Sequence, residues 1–128
     1  MQETLELWHQ CVKNKDPGLL DEILAEDCVF ISPVLHTPQR GRDITKLYLS
    51  GAVAVLGNNF RYTKEVVSGR HAVLEFNSEV DDILVNGVDI MTFDAEGKVC
   101  EFKVMVRPLK AVNTVHAKMK AMLEQLSA

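Results

Sequence analysis

The strongest constraint on how this chain folds is a change of hydrophobic period. Up to Leu56, apart from one short β-rich run, apolar residues recur at helical spacing. From Phe60 to Val106 they alternate with a period of two. The alternating stretch is broken near Ser68-Gly69-Arg70, near Asp81-Asp82 and at Asp94-Ala95-Glu96-Gly97, which divides it into three or four strands joined by tight turns. Consecutive strands joined this closely pair antiparallel, because a parallel partner would need a long crossover. Helices grouped ahead of such a run place the chain in the α+β class.

Ahead of the strands, Leu5, Trp8, Cys11 and Val12 mark a first amphipathic helix through about Asn14. Asp16 followed by Pro17 is a helix start, a capping oxygen before a ring that fixes the first helical angle. Leu19, Leu20, Ile23 and Leu24 give that second helix one apolar face. Cys28 to Ser32 is a short β-rich run that ends at Pro33, and His36 to Gly41 reads as a loop. A third helix begins near Asp43 with Ile44, Leu47, Tyr48, Gly51, Ala52, Val55 and Leu56 on one face, closed by Gly57 and Asn58. Beyond Pro108, Val112, Val115, Met119, Met122, Leu123 and Leu126 mark a last helix. The expected order is ααβαββββα, as one domain over residues 1–128.

The totals exclude several functions. A formal net charge of -4 with dispersed Lys and Arg does not make the basic patch that nucleic acid requires. No apolar run approaches a membrane span, and the N-terminus lacks the pattern of a signal peptide. Three cysteines without CxxC spacing argue against a disulfide framework and point to a reducing, cytoplasmic setting. His9, His36, His71 and His116 have none of the close spacing of metal sites, so neither a metal nor another cofactor is expected.

The stretch Val88 to Val106 locates a carboxylate. With Asp94 to Gly97 as a four-residue turn, Phe93 lies opposite Lys98, Met91 opposite Cys100, Asp89 opposite Phe102 and Gly87 opposite Val104. One face then carries Gly87, Asp89, Met91, Phe93, Cys100, Phe102, Val104 and Val106, apolar apart from Asp89. A buried carboxylate must find hydrogen bonds or take up a proton, and a neutral acid can donate to a ligand oxygen. Equally, Asp89 can cap backbone amides, pair with a core hydroxyl or sit at a wet rim, and a slip of one residue would turn it outward. Phe76 and Ser78, or else Glu75 and Asn77, share its face, since the turn near Asp82 leaves that register open.

The segment Gly87-Val88-Asp89-Ile90-Met91-Thr92-Phe93-Asp94-Ala95-Glu96-Gly97-Lys98-Val99 resembles the last hairpin of nuclear-transport-factor-2-like proteins, among them the ketosteroid isomerases and the SnoaL-like polyketide cyclases. Ile31-Ser32-Pro33-Val34 and Gly41-Arg42-Asp43-Ile44 resemble their first strand and third-helix start. Asp16 to Asp27 resembles their second helix in position, and Val106-Arg107-Pro108-Leu109 the approach to the last helix of a SnoaL-like subgroup. The resemblance implies a strongly curved antiparallel sheet wrapped around the N-terminal helices as a cone with an apolar pocket, plus a C-terminal helix. It also implies association into a homodimer through the outer sheet face.

Position by position, Asp89 falls where ketosteroid isomerases keep a protonated aspartic acid in the oxyanion hole. Trp8 falls at their tyrosine donor, and Ser32 at their general-base aspartate. A serine hydroxyl takes no proton without an activating base, so His36, in the loop after Pro33, is the candidate replacement. The expected pocket lining is Trp8, Cys28, Phe30, Tyr48, Phe76, Ser78, Met91, Cys100, Phe102, Val104 and Val106. Two functions follow, an isomerase, cyclase or dehydratase on a small apolar carbonyl or enol compound, or a module that binds such a molecule unchanged. A third is an association domain whose pocket is unused.

Overall fold

The computed structural model of the chain describes residues 1–56 and 59–126. The Gly57-Asn58 helix stop and the Leu126 side chain fall outside the described residues. Helix α1 (Gln2–Asn14) ends at Lys15 in the left-handed conformation. A single 3-10 turn (Pro17–Leu19) follows, with the Asp16 carboxylate accepting from the Gly18 amide, and runs into the short helix α2 (Leu20–Ile23). Strand β1 (Leu24–Ile31) leads to β2 (Gln39–Arg40) and helix α3 (Arg42–Val55). Four strands then succeed one another, β3 (Arg61–Ser68), β4 (His71–Val80), β5 (Ile83–Phe93) and β6 (Val99–Arg107), before helix α4 (Leu109–Leu126).

The six strands form one open sheet in the order β2-β1-β6-β5-β4-β3. The β3–β6 meander is antiparallel throughout, as the tight turns require. Two features depart from expectation. Strand β1 joins β6 in parallel, with Phe30 beside Phe102, so the sheet is mixed. The segment expected to be all loop contributes β2, which pairs Arg40 with Val29. The second helix is also shorter than its apolar spacing suggests, because Leu24 already belongs to β1.

Register in the last hairpin differs from the simple four-residue turn. Asp89 pairs with Val104, Met91 with Phe102 and Gly87 with Val106, while a bulge lets Phe93 face Val99. The Asp94 carboxylate, accepting from the amides of Glu96 and Lys98, organises this longer turn. The expected pairing is thus off by two residues, which preserves the face of each side chain because the pleat repeats every two. Cys100 is the exception. It falls at the bulge, half-buried, with its Sγ on the Thr92 carbonyl.

The concave face of the sheet buries Leu74, Phe76, Met91, Phe93 and Phe102 against Leu5, Trp8, Leu20, Ile23 and Leu49 from the helices. Gly87 is required at its place, since a Cβ there would lie 2.5 Å from both the Met105 carbonyl oxygen and the Phe76 ring. Among the described residues no helix is long and apolar enough to cross a membrane.

Candidate functional site

Strands β5 and β3 and helix α1 bring three polar groups together in this apolar interior. Strand β5 turns Asp89 inward, leaving it 5% exposed. Strand β3, at the sheet edge, brings Tyr62 over it, and α1 supplies Trp8. The indole Nε1–H donates to the Tyr62 hydroxyl at 2.8 Å, and that hydroxyl donates to Asp89 Oδ2 at 2.5 Å. The chain of donors therefore runs Trp8 to Tyr62 to Asp89. No other hydrogen-bond partner holds the carboxyl among the described residues, so its second oxygen is left for the space beside it.

Burial dominates the electrostatics of the group. Removal from water pushes the Asp89 carboxyl up from 3.8 to about 7, against the smaller opposing pull of the Tyr62 hydrogen bond. Tyr62 is pushed well above 10, first by burial and then by the neighbouring Asp89 charge, so its hydroxyl keeps its proton. Near neutral pH both forms of Asp89 are populated, which suits a group that must accept a proton and return it.

Two chambers lie beside this triad. The inner one, about 50 Å³, is walled by Trp8, Leu49, Phe60, Phe76, Phe102 and other apolar side chains, and among the described residues Asp89 is the one titratable group in its walls. The outer one, about 320 Å³, lies between α3, α4 and the loop after β1. Phe30 and Tyr48, stacked at 5.2 Å, line it together with Val106, Met119 and Leu123. Ala52, Leu56 and Val104 belong to the walls of both. The volume of the outer chamber falls within the range of small-molecule sites.

Of the residues singled out from sequence, Trp8, Phe76, Asp89, Phe102 and Val104 come together at the inner chamber, and Phe30, Ser32, Tyr48, Val104 and Val106 at the outer one. The others do not join them. His36 is exposed and lines neither chamber, because its loop turns away after Leu35. Ser32 faces the outer chamber but serves the loop, its Oγ accepting from the amides of Val34 and Leu35. Cys28 and Met91 are packed in the core with no exposure, and Ser78 donates to the Leu56 carbonyl at 2.9 Å. Cys100 is diverted by the bulge. Burial raises the thiols of Cys11, Cys28 and Cys100 alike, the opposite of what a nucleophile needs.

Sequence reasoning missed Tyr62 and His116. Tyr62 opens a strand that is otherwise exposed, and only the strand order shows that it lies over Asp89. His116 lines the outer chamber with Lys120 and Glu124, spaced four apart along α4. That regular spacing on an amphipathic helix was the available signal. Among the described residues no cluster of three or more His, Cys, Asp or Glu could hold a metal ion.

The structure is similar to that of a steroid delta-isomerase from Pseudomonas aeruginosa, with 32% identity over 99% of this chain and 94% of that one and a TM-score of 0.93. An uncharacterised protein with a cystatin-like fold from Silicibacter pomeroyi is 30% identical over 94% of this chain and 85% of its own, with a TM-score of 0.88. A SnoaL-like protein from Jannaschia shares the fold at a TM-score of 0.70, covering 91% of this chain and 93% of its own, with 12% identity. A comparison with curated proteins found no match. The SnoaL-like domain family matches residues 5–102. With the curved sheet, the helices in its concavity and these relatives in agreement, the chain belongs to the SnoaL-like family of the nuclear-transport-factor-2-like fold.

Proposed function

We propose that this chain takes up a small, largely apolar carbonyl or enol compound and shifts a proton on it, with Asp89 as the group that takes and returns the proton. The observation that carries this reading is the Asp89 carboxyl itself, alone among apolar walls, tied on one side to Tyr62 and raised to about 7. Similarity to a steroid delta-isomerase, which by its name moves a double bond, supports the same class of chemistry.

In the step proposed, a C–H bond next to the carbonyl breaks and its proton passes to the Asp89 carboxylate. The electron pair forms a carbon–carbon double bond, and the carbonyl π electrons move to oxygen as an enolate. Asp89, now neutral, hydrogen-bonds the enolate and returns the proton to carbon, at the same or a conjugated position. Tyr62 and Trp8 orient the carboxyl throughout. Nothing is oxidised or reduced, so no co-reactant is consumed.

The test is deuterium incorporation from D₂O into the α-positions of 2-octanone, followed by proton NMR. Wild-type protein is expected to accelerate exchange with a rate that climbs through a midpoint near pH 7, as Asp89 loses its proton. Asp89→Asn is expected to remove the acceleration. Equal exchange by the variant would refute the assignment.

A binding module is the second reading. The inner chamber offers no second titratable group, and the Ser32 hydroxyl is occupied by its loop. Calorimetric binding of 2-octanone without any exchange would favour it. For assembly, we propose a homodimer through the outer sheet face, where Val66, Leu84 and Met105 are exposed. Sedimentation of Lys103→Glu beside wild type tests this, and a wild-type monomer at micromolar concentration would end it.

A further inference from the structure

The carboxyl belongs to the walls of the smaller chamber and not to those of the larger one. Asp89 lines the inner chamber of about 50 Å³, while the room for a ligand body, about 320 Å³, is in the outer chamber, and Ala52, Leu56 and Val104 are walls of both. An apolar cavity of roughly 150 Å³ is known to accept benzene, so the inner chamber alone is too small for a ring.

The three partition residues differ in their freedom. Ala52 has only a methyl group. Val104 is β-branched on a strand paired with β5 at Asp89, and the branching restricts its rotamers. Leu56 has two rotatable side-chain bonds, while its backbone is fixed. Its amide donates to the Ala52 carbonyl at 2.8 Å, and its carbonyl accepts from Ser78 Oγ at 2.9 Å. Ala52 and Leu56 lie one helical turn apart on the same face, and of the two only the leucine has a side chain long enough to stand between the chambers.

We infer that Leu56 is the specificity-determining partition of this site, and that it admits to Asp89 only ligands whose oxygen-bearing end is slim and open-chain, while the bulk stays in the outer chamber. This rests on the proton-transfer reading for its chemistry, but the selection itself is a matter of access. Open-chain ketones and enols are therefore the substrate class, and ketones with the carbonyl inside a ring are turned away.

The experiment compares 2-octanone with cyclooctanone, which have equal carbon counts and differ in the width of the carbonyl end. Trp8 is the one tryptophan of the chain and a wall of the inner chamber, so its emission reports entry there. Calorimetry reports uptake by either chamber. In wild type the emission is expected to respond to 2-octanone at concentrations about tenfold or more below those needed for cyclooctanone. Leu56→Ala should bring the two responses together. If that variant does not fold, Ala52→Leu, which adds bulk one turn earlier on the same face of α3, should abolish the response to 2-octanone while calorimetric uptake persists.

Equal wild-type responses, an unchanged ratio in Leu56→Ala, or an undiminished response in Ala52→Leu would each overturn the inference. So would the absence of any emission response in both wild type and Leu56→Ala. Emission selectivity as expected, but without deuterium exchange, would overturn the proton-transfer reading and leave the partition in place.

Discussion

Replacing Asp89 by Asn turns the electrostatics of the site into a stability measurement. Burial holds the carboxyl at about 7 in the fold, against 3.8 as its ordinary value. The folded state therefore binds the proton more tightly than the unfolded chain, and the associated stability is fully present below pH 3.8. As pH rises the unfolded chain ionises first, stability falls, and the loss levels off above pH 7. At about 1.4 kcal/mol for each tenfold in proton affinity, the full loss is about 4 kcal/mol. Asparagine carries no charge and offers Tyr62 an amide oxygen in place of Oδ2. Asp89→Asn should match wild type within about 1 kcal/mol near pH 4 and exceed it by up to about 4 kcal/mol at pH 8. Urea unfolding followed by Trp8 emission from pH 4 to pH 8.5 reads this directly. Asp21 and Glu75, whose carboxyls are held low by Lys46 and Asn86 respectively, change stability in the opposite sense. They are common to both proteins and cancel in the difference. A difference that does not vary with pH, or one that favours wild type at pH 8, would refute the claim that Asp89 is buried against its charge.

Other changes probe the neighbouring contacts. Tyr62→Phe removes the donor to Asp89 and the acceptor of Trp8, so the fold should lose about 1–3 kcal/mol, and infrared titration should place the Asp89 carboxyl higher still; a downward move would contradict the assigned hydrogen bond. Gly87→Ala puts a methyl group 2.5 Å from a carbonyl oxygen and a ring carbon, which should cost about 1–3 kcal/mol, seen as a lower melting temperature; unchanged melting would mean the two strands separate freely. Ser78→Ala cuts the tie to the Leu56 carbonyl and should cost about 1 kcal/mol in denaturant unfolding; no loss would show that the α3 terminus is held by other contacts.

The parts that could be read from sequence are those set by local periodicity. Helix α1 ends where its apolar spacing ends, and the turns at Gly69, Asp81-Asp82 and Asp94 to Gly97 lie where Gly and Asp accumulate. The inward face of Asp89 survived an error in register because a two-residue slip keeps parity. What failed depended on pairings remote in sequence. Nothing near Leu24 reveals that it joins a strand whose partner is β6, and nothing near Tyr62 reveals a carboxylate below it. Cys100 was placed on the inner face by counting in twos, and the bulge between Thr92 and Phe93 broke the count. Its position after Pro33 makes His36 a candidate, yet the Ser32 hydroxyl gathers the amides of Val34 and Leu35 and His36 is left exposed.

The parallel junction of β1 with β6 also bears on how the molecule assembles. Strands β3 to β6 meet their neighbours through short turns, contacts of low sequence separation that form early and at little entropic cost. The β1–β6 pairing instead joins Phe30 to Phe102, and it cannot begin until most of the chain is available. Trp8 reaches Tyr62 across 54 positions, again a contact of long sequence separation. The meander is thus free to form with its concave face still wet and Asp89 still ionised. Packing of α1 and β1 against the meander buries Asp89, and the proton uptake that burial favours is expected to accompany it. Refolding near neutral pH should accordingly consume protons in its late phase, a solvent exchange imposed by strand order alone.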